Sequence, residues 1–494
     1  MESGKLFQGS NWTANIKYLL VAGGGLFGDG YLNQTIGLVV PILGYLYFAD
    51  RHSTPSATQS DGIKGSFQVG MVVGQLFFGS LGDAFGRHRV YGKECLLVIF
   101  GTLMVVLLPW KGLSQTGVVA WLSVFRAVTG MGTGGDYPMT STISSEHKVL
   151  FGSRAKLVLL VFAFLALGTL TAAVVFVILL DAFRSAIEHD IRRMEWVWRL
   201  LLGLGIVPAA ITLYARLRMR ETEPYEKCPD VSHESESGNG DSRDYKTQWH
   251  DFRVYFSEWR HAKVLFATAF GWFLYDIAYY GISLNQATIL KAIGFGSGKT
   301  PWESMHNTAI GNIIVSFAGQ LPGSWLGIFM PDLCGRRNLI LYSSLLTALL
   351  YAIWAGVQDS ASSGGLMVLF ALSQFTLNFG PTVCVFLLPV ELFPTRVRAT
   401  AHGISAASGK VGAVLTAFAF GTINETLGLR GALGLFAGVM VLVAVVSLWL
   451  PETKGLTIEE IEAGVVYSDH GSPNTDNEDV PATVSVETAE LKGL

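Results

Sequence analysis

Four ionisable residues stand in stretches that are otherwise almost free of charge. Asp29 lies within Phe27-Gly28-Asp29-Gly30-Tyr31, and Asp136 follows the glycine run Gly132-Thr133-Gly134-Gly135. Asp276 sits between Trp272 and Tyr280, and Lys410 follows Ser405, Ser408 and Gly409. In a membrane span each such group costs about 2.5–3.5 kcal/mol on insertion scales, so its default reading is functional. Trp272, Asp276 and Tyr280 follow i, i+4, i+8 spacing, which sets an indole N–H, a carboxyl and a phenol in one helical stripe. Asn33 falls one turn after Asp29 and shares its face. Carboxyls of this kind can take up and release protons; the plainer reading is that each group only pairs with a neighbouring helix. A carboxylate beside a bound anion repels it strongly where the dielectric is low. An anion therefore binds best when a proton accompanies it, which couples the two sites reciprocally.

The elements that must position these groups are long and apolar. Of 494 residues 50% are hydrophobic and only 15% charged, against about a quarter charged in soluble domains. Apolar runs near the ~20 residues needed to cross a bilayer as helix are separated by short charged loops. Stretches such as Leu435 to Leu450 lack the period-2 alternation of a barrel strand, so the fold class is an all-α polytopic membrane protein. The spans lie near Tyr18–Phe48, Gly65–Phe85, Cys95–Leu108, Val118–Met139, Lys156–Leu180 and Trp198–Leu217. After a polar break they resume near Val264–Lys291, Thr308–Met330, Leu339–Val357, Leu366–Pro389, Thr400–Ile423 and Gly431–Leu450. The organisation is then a bundle over 1–217, a central loop over 218–262, a second bundle over 263–450 and an acidic tail over 451–494. The loop, with its polar stretch Ser232–Asp244, is expected to be largely disordered because it cannot bury enough apolar area to fold. Lys and Arg cluster in the loops on the side of both termini, which predicts cytoplasmic termini. Arg184, Arg192, Arg193 and Arg199 between spans five and six run against that bias.

The halves echo each other, as expected of a duplication. Gly82-Asp83-Ala84-Phe85-Gly86-Arg87 after span two recurs as Pro331-Asp332-Leu333-Cys334-Gly335-Arg336 after span eight. Glu146 and Arg154 after span four parallel Glu391 and Arg398 after span ten, and Gly130–Gly135 has a looser counterpart in Gly403–Gly412. A carboxylate such as Asp83 or Asp332 can cap a helix N-terminus and pair with Arg87 or Arg336, tying helix ends together. Two pseudo-symmetric halves with a site at midplane are a transporter architecture.

The Asp83…Gly86-Arg87…Arg89 loop and its second copy resemble the signature of the major facilitator superfamily. Gly134-Gly135-Asp136-Tyr137-Pro138 with Ser144-Ser145-Glu146, the Trp272…Asp276…Tyr280 stripe, Asn378-Phe379-Gly380-Pro381, and the run from Glu391-Leu392-Phe393-Pro394-Thr395-Arg396 through Ala401-His402-Gly403 to Lys410 narrow the likeness. Together they resemble the proton-coupled phosphate symporters of fungi and plants, from span one to Gly455. The resemblance implies twelve transmembrane helices in two pseudo-symmetric six-helix bundles. It implies that Tyr137, Trp272, Asp276 and Tyr280 line an anion site, and that Asp29, Asp136 and Asp276 handle protons near Lys410. It implies further that Glu146/Arg154, Glu391/Arg396/Arg398 and Pro451-Glu452-Thr453-Lys454-Gly455 join Asp83/Arg87 and Asp332/Arg336 as inner gates, closed when the pore faces outward. Two positions depart from the family pattern. Leu165 stands where a glutamine helps hold phosphate, and Thr382 where an asparagine stands. A lost amide removes a donor worth about 1.5–3 kcal/mol to a buried oxyanion.

The expectation is a proton-coupled carrier of a small anion, phosphate first, in the plasma membrane, with no cofactor beyond the proton gradient. The Leu165 and Thr382 changes keep open an organic acid, a glycerophosphodiester or a small metabolite, carried inward or outward; a nutrient sensor is a third reading. A net charge of −3 argues against a nucleic-acid partner. Cys95, Cys228, Cys334 and Cys384 lack paired spacing, which predicts neither disulfides nor a metal. No nucleophile or metal constellation suggests an enzyme, and no obligate protein partner is evident beyond solute, protons and bilayer.

Overall fold

The computed structural model describes residues 12–48, 55–110, 112–147, 153–226, 245–456 and 460. Among these, the helices make twelve crossings in two groups of six. Spans one to six are Trp12–Tyr47, Ala57–Phe85, Lys93–Val106, Gln115–Glu146, Arg154–Ala182 and Ile191–Leu217. Spans seven to ten are Trp259–Ser283, 301–327, Arg336–Val357 and Ser363–Leu392. Spans eleven and twelve share Arg398–Ser447, broken where Gly428 takes φ 65° and ψ 179°.

Local chemistry sets the ends. Ser56 accepts from the Gln59 N–H while the Gln59 side chain accepts from the Ser56 N–H, a reciprocal cap on span two. Gly86 and Gly335, the shared glycines of the repeated loop, take φ 91° and 83°, a region a side chain enters only under strain. The echo in sequence is thus an echo in backbone geometry. Span one meets span five so closely that a Cβ on Gly30 would lie 2.0 Å from the Leu165 carbonyl oxygen. That approach brings Leu165 next to Asp29 at the centre of the molecule.

The structure departs from the expected organisation in two spans and in the central loop. Span seven ends at Ser283 rather than running to Lys291, because the Asn285 amide donates to the Gly281 carbonyl and turns the chain into a short helix, Gln286–Ala292. Span ten breaks at Gly380, since Pro381 has no N–H to continue the ladder. Within the central loop, Tyr245–Ser257 is a helix. Trp249, Phe252 and Phe256 form an aromatic ladder along it, Phe256 meets Phe393 edge-on, and Gln248 donates to the Arg396 carbonyl at 3.0 Å. Ser232–Asp244 lies outside the described residues.

Candidate functional site

Spans one, two, four, five, seven, ten and eleven surround a central cavity of about 30 Å³. Asp29, Asn33, Tyr137, Leu165, Trp272, Asp276, Tyr280, Thr382 and Lys410 line it. Such a space holds about two waters, given ~10–15 Å³ for each. Lys410 donates to Asp276 at 2.7 Å, and both side chains are 2% exposed. The same ammonium lies 4.4 Å from the Tyr280 ring centre and 5.5 Å from that of Tyr137, a cation held by a carboxylate and two aromatic faces. Gln68 donates to Asn33 at 2.9 Å, and Thr382 bonds the Tyr275 hydroxyl and the Leu377 carbonyl. Leu165 adjoins Phe162 in an apolar part of the wall, where Phe162 stacks on Phe386 at 4.1 Å.

Asp136 is not among the residues that line this cavity. Its neighbour Tyr137 is, but Asp136 is held on another side of span four by the groups that bind it. Asp136 instead accepts from Arg216 at 2.6 Å and from Thr140 at 2.5 Å. Arg216 is fully buried, also donates to Glu94 at 3.1 Å and covers the Tyr91 ring. Asp29 links the two regions: it borders the cavity and also a smaller void beside Glu94 and Asp136, and one of its carboxyl oxygens has no partner. Sequence reading missed Arg216 and Glu94. Both sit near helix ends, where charge is ordinary, and only the fold brings them to Asp136.

The face that carries the two loop motifs is closed by ion pairs. Asp83 accepts from the Thr400 N–H at 2.7 Å and the Ala399 N–H at 3.2 Å, across the two bundles, and pairs with Arg87 at 3.1 Å. Glu146 receives Arg87 and Arg398, each at 3.1 Å. The second copy repeats this. Asp332 accepts from Ser153 at 2.6 Å across the bundles and pairs with Arg336 at 3.2 Å, while Arg336 reaches Glu391 at 2.9 Å. Arg154 opens span five beside Ser153, and Arg396 lies over the Tyr255 ring of the linker helix.

The chain just after each bundle completes these clusters. Thr222 donates to Glu146 at 2.6 Å, and Glu221 accepts from the His88 N–H. In the second half Thr453 donates to Glu391 at 2.6 Å, and Glu452 accepts from the Arg336 and Arg337 N–H groups. The signal was present as a Glu-Thr pair after span six and again after span twelve, and only the second was read.

The opposite face is closed by amides. Gln34 donates to Gln286 and Asn312, each at 3.0 Å, and Lys64 donates to Asn285 at 3.0 Å. The Trp302 indole donates to the Leu180 carbonyl. Both faces are bridged at once, so closure of the ion-pair latches does not require an open far face.

A family model described as sugar (and other) transporter matches residues 17–464. The chain is 34% identical to the inorganic phosphate transporter PHO84 of Saccharomyces cerevisiae, over 95% of this chain and 87% of that one. It is 33% identical to the repressible high-affinity phosphate permease of Neurospora crassa, over 90% and 86%. It is 32% identical to inorganic phosphate transporter 1-2 of Oryza sativa subsp. japonica, over 92% and 95%. Among solved structures, the proton:xylose symporter XylE bound to 6-bromo-6-deoxy-D-glucose shares the fold, with a TM-score of 0.70 at 20% identity over 91% of this chain and 98% of that one.

Proposed function

The chain belongs to the sugar (and other) transporter family of the major facilitator superfamily, and from that premise we propose that it carries inorganic phosphate together with protons by alternating access. The names of its relatives support the solute. The observation that carries the reading is the buried Lys410–Asp276 pair at 2.7 Å in a cavity walled by Tyr137, Trp272 and Tyr280. An oxyanion arriving there is attracted by the ammonium and repelled by the carboxylate, and at an effective dielectric of about 20 each term is several kcal/mol. A proton on Asp276 removes the repulsion and releases Lys410 toward the anion, so solute and proton occupy the site together. Asp29, with its unpartnered oxygen, is the second proton station, between the cavity and the Asp136–Arg216–Glu94 cluster.

In this reading the face with the ion-pair latches is cytoplasmic, the chain resides in the plasma membrane, and the inward proton gradient drives uptake. Leu165 favours a second reading, a phosphodiester or organic acid whose apolar part lies against Phe162 and Phe386. Radiolabelled phosphate uptake in cells lacking their own high-affinity carriers separates the two. Phosphate uptake rises as external pH falls, and Asp276→Asn lowers the maximal rate by at least about tenfold and flattens that pH profile. Breaking a buried ion pair costs about 3–5 kcal/mol. Uptake indifferent to pH and to a protonophore would defeat the coupling; no phosphate uptake alongside uptake of a phosphodiester would favour the second reading.

A further inference from the structure

The far face holds a lysine that nothing in the central site requires. Lys64 lies in span two, buried at 8% exposure. Phe67 and Met71, which line the cavity, follow at i+3 and i+7, so Lys64 stands on the cavity-facing stripe one turn further out. Its ammonium donates to the Asn285 side-chain Oδ1 at 3.0 Å, and among the described residues it makes no ion pair. Asp61, one turn outward on the same helix, is the nearest charged neighbour on that element. The bond to Asn285 crosses from one bundle to the other, as do those from Gln34 to Gln286 and Asn312. The Gln286 amide nitrogen is itself buried without a partner. When the bundles part on this face, every one of these bonds breaks. What is then exposed is one ammonium, with the Asp61 carboxylate one turn outward, and several amide N–H donors around the mouth of the cavity.

We infer that Lys64, with the Gln34 and Gln286 amides, forms an outer capture site for a small oxyanion, occupied before the anion reaches Lys410. The inference rests on the uptake reading for its direction. Facing carboxylates on both sides would have closed this mouth against anions; a lysine paired with a neutral amide closes it and still attracts them once open. The opposite face is built the other way, with Arg87, Arg336 and Arg398 already matched by Asp83, Glu146, Asp332 and Glu391. Among these latch and bridge residues, the cation without a carboxylate bonded to it is Lys64. Charges at a mouth raise local substrate concentration and the rate of capture, in proportion to their sign.

The test is external phosphate uptake by intact cells together with a charge-sensitive probe of the mouth. Lys64→Gln raises the KM for external phosphate about tenfold, equivalent to ~1.4 kcal/mol, and leaves the maximal rate within about twofold; Lys64→Arg restores most of the affinity. Asp61→Asn moves KM the other way. Asn285→Ala breaks the same bond but spares the ammonium, and it leaves KM unraised. In a Gln286→Cys background, an anionic impermeant thiosulfonate added outside reacts faster than its cationic analogue, and Lys64→Gln cuts that ratio at least about threefold. Equal KM shifts in Lys64→Gln and Asn285→Ala would mean Lys64 only fastens the bundles. An unchanged reagent ratio would overturn the site outright. If the wild type carries no phosphate, the phosphate reading falls, while the reagent ratio still decides the role of Lys64.

Discussion

Leu165 is the residue at which the sequence and the site disagree most usefully. It is held at the cavity wall by the close approach of its carbonyl to Gly30, so a longer polar side chain there would face the polar groups without moving either helix. A glutamine at this place offers an amide N–H to a buried oxyanion, worth about 1.5–3 kcal/mol where the bond is charge-assisted. Leu165→Gln is therefore expected to lower the KM for phosphate at least about tenfold, measured in the same uptake assay; an unchanged or higher KM would show that the wall does not touch the solute. The ionisable positions teach a different lesson. Asp29, Asp276 and Lys410 were legible because a charge in an apolar run is conspicuous. Asp136 was equally conspicuous as a charge in an apolar run. Its partner was not, because Arg216 lies 80 positions away and nothing local links the two.

Among the helices, the repeated loop can be argued from sequence to geometry almost completely. The Asp-x-x-Gly-Arg pattern places a carboxylate before a glycine that turns the chain and an arginine that returns to it, and both copies do this with Gly86 and Gly335 at positive φ. The strap formed by Glu221 and Thr222 was lost to sequence reading because the whole central segment looks like polar linker. Its function depends on one hydroxyl meeting Glu146, a fact of docking. The linker helix Tyr245–Ser257 escaped for a related reason: its mean polarity is high, and only its Trp249, Phe252, Phe256 stripe carries the packing. The strap makes a specific prediction. Thr222→Val removes one of three donors to Glu146 and leaves both arginines in place, so the latch weakens without collapsing. A loss of about 1–2 kcal/mol in latch closure is expected, visible as faster labelling of a cysteine placed at the buried Ala399 from the latch side. Thr453→Val should act on Glu391 in the same sense, because the second cluster is its copy. No change in labelling for either variant would reduce both straps to packing.

Across the whole molecule, the two faces are closed by different chemistry, and this difference decides how the bundles are balanced. One face is held by buried charge pairs in which Glu146 alone accepts from Arg87, Arg398 and Thr222. The other is held by neutral amides centred on Gln34, each worth about 0.5–1.5 kcal/mol net. A carrier that alternates must be able to open either face, and a ligand or substitution shifts that balance only by its differential effect on the two states. Glu146→Gln weakens the charged face and leaves two arginines poorly matched, so it biases the molecule toward opening there; the cost of a broken buried pair, about 3–5 kcal/mol, bounds the shift. Gln34→Ala removes both amide bridges and biases the molecule toward opening at the far face. The two sites lie on opposite faces and share no partner, so their effects are expected to add. The double variant then returns toward the wild-type balance and recovers transport relative to Glu146→Gln alone. Spin-label distances across each face, measured in all four proteins, test this directly. If the double variant is as biased as Glu146→Gln, the far-face amides carry no weight in the conformational balance, and the bundles are governed from the charged face alone.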